Sequence, residues 1–168
     1  LLGEEHLKEV FLQAADVLAA RYQEKGGFIQ PWGKMGAENE YRLIIDSLLN
    51  LPLLYRAWQL SGKESYKKIA DSHYDKVLHN IVREDYSTYH TFYFDPESGK
   101  PDHGATHQGF SDQSCWARGQ AWAILGIPLH ARVSGEKLTG EEKALHEKLV
   151  EYFQNHTPSD GMPYWDLI

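Results

Sequence analysis

Between residues 40 and 60 apolar side chains recur on nearly every side of a helical wheel: Leu43, Ile44, Ile45, Leu48, Leu49, Leu51, Leu53 and Leu54. A helix that is apolar all round needs neighbours on most sides, which predicts an inner helix wrapped by others. Pro52 is expected to kink it or mark a local break, and Gly62 to close it. The segments around it are of a different kind. Residues 4–24 place Leu7, Val10, Phe11, Ala14, Ala15 and Leu18 on one stripe with charges opposite, and Gly26-Gly27 is expected to end that helix. Residues 64–81 predict a third, amphipathic helix, 114–133 a fourth rich in small and apolar residues, and 140–156 a fifth that is amphipathic and charged. Alternation of apolar with amphipathic helices is what a ring of helical hairpins requires, the apolar members inside and the loops of one end lining a shared funnel. The predicted helices amount to roughly two and a half such hairpins. A weak repeat accompanies them: glycine, then a loop carrying tryptophan, in Gly26-Gly27-Phe28-Ile29-Gln30-Pro31-Trp32 and again in Asp160-Gly161-Met162-Pro163-Tyr164-Trp165.

Residues 83–113 break the helical pattern. Tyr89-His90-Thr91-Phe92-Tyr93-Phe94 has strand composition, and Asp95-Pro96-Glu97-Ser98-Gly99 is a turn cluster, so a short hairpin-like insertion is expected. A loop this long inside a helical domain is usually functional.

At 168 residues the chain is long enough for one core. A formal charge of −7 argues against a non-specific nucleic-acid or membrane partner, and it means that an anionic ligand needs a local basic pocket. No apolar run approaches membrane-spanning length. Cys115 is the sole cysteine, so an intrachain disulfide and a cysteine-based zinc cluster are both excluded; it reads as a small packed hydrophobe. Leu1 is no initiator methionine, and the other end stops on Trp165-Asp166-Leu167-Ile168. Both ends suggest an internal piece of a longer protein.

The most informative stretch is Asp112-Gln-Ser-Cys-Trp-Ala-Arg118-Gly-Gln-Ala-Trp122. Arg118 and Trp122 are four apart and share a helix face. A guanidinium fork pairs with a planar carboxylate, and an indole covers the apolar face of a sugar ring, so an acidic sugar explains both residues. The bland reading stacks Arg118 on tryptophan and pairs it with an acid such as Asp112. Thr106-His107-Gln108-Gly109 adds His107 and Gln108 as further polar candidates. Asp46, inside Leu43-Ile44-Ile45-Asp46-Ser47-Leu48-Leu49, is costly to bury as an anion, so its pKa should rise, as a general acid requires. Its bland reading is a helix-end carboxylate that caps a loop or pairs with Arg42. Trp32, Trp122 and Trp165 lie near predicted loop–helix junctions; each is by default a core residue, but the shared placement favours stacking by at least one. His90, His103, His107 and Asp102 invite a metal reading, against which stand the turn composition around Gly104 and the absence of a third ligand with suitable spacing.

These residues together resemble a known family. Ile29-Gln30-Pro31-Trp32-Gly33, the run from Ile44 to Leu54, Tyr89 to Pro96, Thr106-His107-Gln108-Gly109, Trp116-Ala117-Arg118-Gly119-Gln120-Ala121-Trp122 and Tyr164-Trp165-Asp166 occur in the order found in unsaturated glucuronyl hydrolases of glycoside hydrolase family 88. The resemblance runs through nearly the whole chain. It implies an all-α fold, part of an (α/α)6 barrel, with residues 1–168 an internal fragment of a single catalytic domain whose N- and C-terminal parts lie outside. It implies hydrolysis of oligosaccharides that a polysaccharide lyase has left with a 4,5-unsaturated uronate at the non-reducing end, by hydration of the C4=C5 vinyl ether. Asp46 would be the catalytic acid/base. His90, Gln108, Arg118 and Trp122 would contact the uronate, Trp32 would stack on the next sugar, and His107 would belong to the same substrate-binding set. A second functional aspartate would precede Leu1, so the fragment alone should be an incomplete catalyst. No metal or organic cofactor is implied, the partners would be unsaturated disaccharides and short oligosaccharides, and the setting would be cytoplasmic.

Rival readings are the related unsaturated rhamnogalacturonyl hydrolases and a non-catalytic helical toroid that binds acidic sugars. A protein-binding scaffold is weaker, because it leaves the Arg–Trp–Gln cluster without a purpose.

Overall fold

The computed structural model describes residues 5–167. Helix α1 (Glu5–Ala19) leads into a small hairpin, β1 (Tyr22–Gln23) and β2 (Phe28–Ile29). The expected first helix is therefore shorter. Gly26 and Gly27 belong to the hairpin turn, where Gly27 takes a left-handed φ of 73° and an added Cβ on Gly26 would strike the Phe28 ring.

The apolar stretch at 40–60 is not one helix. Arg42–Ile44 form strand β3, Ile45–Leu49 a 3-10 turn, and only Leu51–Ser61 form helix α2. Helical periodicity misleads here because a continuous apolar run suits a strand buried on both faces equally well. All three residues of β3 are buried. Pro52 initiates α2 at its first turn, where the missing N–H costs nothing, and Gly62 closes it at φ 71°. Helix α3 (Glu64–Ile81) follows as expected.

Strands β4 (Thr91–Phe94) and β5 (Pro101–Ala105) form the anticipated hairpin around the 95–99 turn. Strand β4 is central, pairing antiparallel with β3 through Leu43 and Phe92, and with β5 through Phe92 and Gly104. Strand β6 (Cys115–Trp116) then pairs with β7 (Asp166–Leu167), so helix α4 (Ala117–Ser134) starts three residues later than its composition suggests. Helix α5 (Gly140–Asn155) begins with a capping box between Thr139 and Glu142.

The core lies between the helices, with Leu43, Ile45, Leu48, Leu54, Tyr55 and Ile127 all buried. Helix α2 packs against α1, α3 and α4, and α4 against α5 and the 3-10 turn. That last contact depends on glycine: a Cβ on Gly126 would lie 2.6 Å from Leu48 Cδ1, and one on Gly119 3.4 Å from Ile45 Cγ2. The bare face of α4 lets its first turn, which carries Arg118, settle onto the turn that carries Asp46.

Candidate active site

Asp46 opens the 3-10 turn with its side chain half-buried. Its Oδ1 is buried without a hydrogen-bond partner. Burial raises its pKa; its own backbone N–H, the Arg118 charge and the Ser47 N–H oppose the rise. The bland alternative of an ion pair with Arg42 is not realised. Arg42 pairs with Glu40 at 2.8 Å, donates to the Tyr93 hydroxyl, and lies 4.6 Å over the Trp32 ring.

The same turn is tied to the sheet, since the Ile45 N–H donates to the His90 carbonyl at 3.0 Å. His90 is buried, and its Nδ1 accepts the backbone N–H groups of His107 (2.9 Å) and Gln108 (3.2 Å). The imidazole is thereby a fixed neutral acceptor. Burial, aided by nearby His107, Arg118 and Arg42, pushes its pKa down to about 4. Here His90 orders the loop that presents the two following candidates. The His107 ring lies 5.2 Å from Trp32, and Gln108 Oε1 accepts from Arg118 Nη2 at 2.6 Å.

Arg118 is exposed and surrounded by indoles: its guanidinium carbon is 4.5 Å from the Trp116 ring, 5.6 Å from Trp122 and 5.7 Å from Trp165. Among the described residues its polar partner is Gln108 and it forms no salt bridge, while Asp112 accepts the Thr106 N–H. Three aromatic faces thus hold a cation that forms no salt bridge among the described residues. Trp122 meets Trp116 edge-on at 5.3 Å.

The candidates Asp46, Trp32, His90, His107, Gln108, Arg118 and Trp122 are therefore linked through direct contacts, a shared backbone or an electrostatic interaction. His103 lies apart, stacked on Tyr93 at 4.7 Å and bonded to Asp102 at 2.9 Å. Among the described residues no three His, Cys, Asp or Glu side chains could jointly hold a metal ion. Cys115 is buried, and burial pushes its thiol pKa up, which fits a packing role.

Several supporting residues are not evident from spacing. Fully buried Gln30 donates to the Trp32 and Lys34 carbonyls, each at 2.9 Å, and so shapes the Trp32 loop. The Trp165 indole N–H donates to the Gln108 carbonyl at 2.7 Å. Neighbouring Asp166, almost wholly buried, accepts from the Phe110 N–H at 3.0 Å and from the Ser114 hydroxyl. The pairing of β7 with β6 thus clasps the 106–114 loop from a residue more than fifty positions away. Gln120 is structural: fully buried, it donates to the Tyr86 and Leu149 carbonyls.

An apolar helical frame thus surrounds an acid, a caged guanidinium and several indoles. Residues 2–159 match the family described as Glycosyl Hydrolase Family 88, and the chain belongs to that family. It is 50% identical over 166 residues to the unsaturated chondroitin disaccharide hydrolase of Streptococcus pneumoniae, covering 99% of this chain and 41% of that protein. It is 44% identical over 165 residues to the unsaturated glucuronyl hydrolase of Bacillus sp. strain GL1, covering 98% of this chain and 43% of that protein. The crystal structure of unsaturated glucuronyl hydrolase from Streptococcus agalactiae superimposes with a TM-score of 0.92 at 49% identity, over 99% of this chain and 41% of that one. The fold is accordingly part of an α/α barrel. The chain spans about two fifths of the length of the relatives it matches.

Proposed function

We propose that residues 1–168 belong to a single catalytic domain that removes a 4,5-unsaturated uronate from the non-reducing end of lyase-generated glycosaminoglycan oligosaccharides. The observation that carries this reading is the proximity of Asp46, whose pKa burial raises and the Arg118 charge opposes, to an Arg118 guanidinium caged by indoles that forms no salt bridge among the described residues. The names of the relatives, which specify unsaturated chondroitin disaccharide and unsaturated glucuronyl substrates, support it.

The C4=C5 bond of such a substrate is a vinyl ether conjugated to a carboxylate. Arg118 and Gln108 hold that carboxylate, and the indoles cover the ring, which fixes C4 before Asp46. Protonated Asp46 delivers its proton to C4, and positive charge develops on C5 and the ring oxygen. Water attacks C5 and returns its proton to the Asp46 carboxylate. The hemiketal at C5 opens to a ketone, and the hemiacetal left at C1 expels the neighbouring sugar. Proton and water are thus both accounted for without any metal or organic cofactor. Trp32 stacks on that next sugar, and His90 and His107 shape the loop against which the uronate rests. The partners are unsaturated disaccharides and short oligosaccharides. No helix among the described residues is long and apolar enough to cross a membrane. We place the reaction in the cytoplasm, where imported disaccharides meet it.

The test is release of unsaturated uronate from glycosaminoglycan and pectin disaccharides by the complete protein, read as loss of C4=C5 absorbance. Consumption of the glycosaminoglycan product is expected. Activity on the pectin product alone would replace this reading with a rhamnogalacturonyl one.

A further inference from the structure

His73 has no place in the chemistry above, yet it is fully buried on α3 and touches both halves of the site. Its Nδ1 accepts the Ile29 backbone N–H at 2.9 Å. Ile29 begins the Gln30-Pro31-Trp32 segment, so this bond fixes the root of the Trp32 loop. Its Nε2 lies 2.6 Å from Ser47 Oγ, and that hydroxyl donates onward to the Ile44 carbonyl. Because a backbone N–H can only donate, Nδ1 carries no proton, and Nε2 must be the protonated nitrogen that donates to Ser47. Every bond in the chain then has one direction. Ser47 directly follows Asp46 in the 3-10 turn, and its backbone N–H opposes the rise that burial gives the Asp46 pKa.

We infer that His73 is a positioning residue that sets the orientation of the Asp46 turn through Ser47 and holds the Trp32 loop in register with it through Ile29. This rests on the functional reading above. A wholly buried imidazole could be exchanged for an apolar side chain if packing were its only role. Here the Ile29 N–H would be left unsatisfied inside the core, and Ser47 would keep only its bond to the Ile44 carbonyl. Burial also pushes its pKa down to about 3, so the neutral form persists across the working range.

Two substitutions separate the two arms. His73→Asn places an acceptor near Nδ1 and loses the donor to Ser47. His73→Gln places a donor near Nε2 and loses the acceptor for Ile29. In the complete protein, with an unsaturated disaccharide as probe, His73→Asn should lower kcat about ten- to a hundredfold with KM little changed. Its kcat–pH profile should move its basic limb upward, because a displaced Ser47 N–H no longer offsets the rise that burial gives the Asp46 pKa. His73→Gln should keep kcat within about threefold and raise KM. Ser47→Ala, which leaves the Ile29 arm intact, should reproduce the His73→Asn effect and serves if that variant does not fold. Equal losses in the Asn and Gln variants that track the folded fraction in thermal melts, with pH limb and KM unmoved, would overturn the inference. Wild-type protein that leaves the C4=C5 absorbance untouched would instead sink the functional reading, and with it any role of His73 in turnover.

Discussion

Asp46 keeps one carboxylate oxygen buried and unpartnered, an arrangement that favours the protonated acid at the expense of stability. Replacing it with neutral Asn should raise the unfolding free energy by roughly 0.5–1.5 kcal/mol at pH 8, measured by urea denaturation. Unchanged or lower stability would mean that the carboxylate is not strained. The buried histidines act in the opposite sense with pH. Folded-state values of about 4 for His90 and about 3 for His73 lie below the free imidazole value of about 6.5. Their stabilising contribution is therefore complete above about pH 6.5 and is lost as pH falls toward those values. Denaturation midpoints should decline from pH 6.5 to 4, and His90→Asn, which keeps an acceptor for the loop N–H groups, should flatten part of that decline. Residue chemistry was legible in the sequence where it followed from type and company: a carboxylate among aliphatics, an arginine four residues from a tryptophan. The roles of His73, Gln30 and Asp166 were not, because each depends on a partner 44 positions away, inside a folded loop, or 56 positions away.

At the level of elements, the site depends on close approach between α4 and the 3-10 turn. Gly126→Ala puts a Cβ into Leu48 and should cost about 1–3 kcal/mol, seen as a lowered melting temperature together with reduced turnover. Normal stability in that variant would show that Leu48 can move aside freely. The clasp from β7 offers a milder test. Trp165→Phe removes the indole N–H that holds the Gln108 carbonyl, and should raise KM about two- to tenfold while kcat changes little. The amphipathic helices were legible because a one-sided stripe has a single solution: α3 and α5 lie within a residue of where the pattern puts them. The 40–60 stretch was misread because apolar residues on every side specify burial but not conformation, and pairing with β4 decided in favour of a strand. The short strands β1, β6 and β7 carry only two residues each, too few for any period to emerge.

For the whole molecule, alternation of apolar and amphipathic segments was enough to indicate a ring of helical hairpins, and the superposition on an unsaturated glucuronyl hydrolase agrees with it. The chain covers about two fifths of its relatives, so the proposed turnover is to be measured on the complete protein. On the proposed reading, these residues contribute an acid whose pKa burial raises and a guanidinium caged by indoles. The most direct measurement compares wild-type complete protein with Asp46→Asn, recording disaccharide binding by calorimetry and C4=C5 absorbance in the same samples. Binding within a few-fold of wild type, with turnover lowered at least about a hundredfold, is the predicted result. An Asn variant that still consumes the chromophore at a rate near wild type would contradict the account.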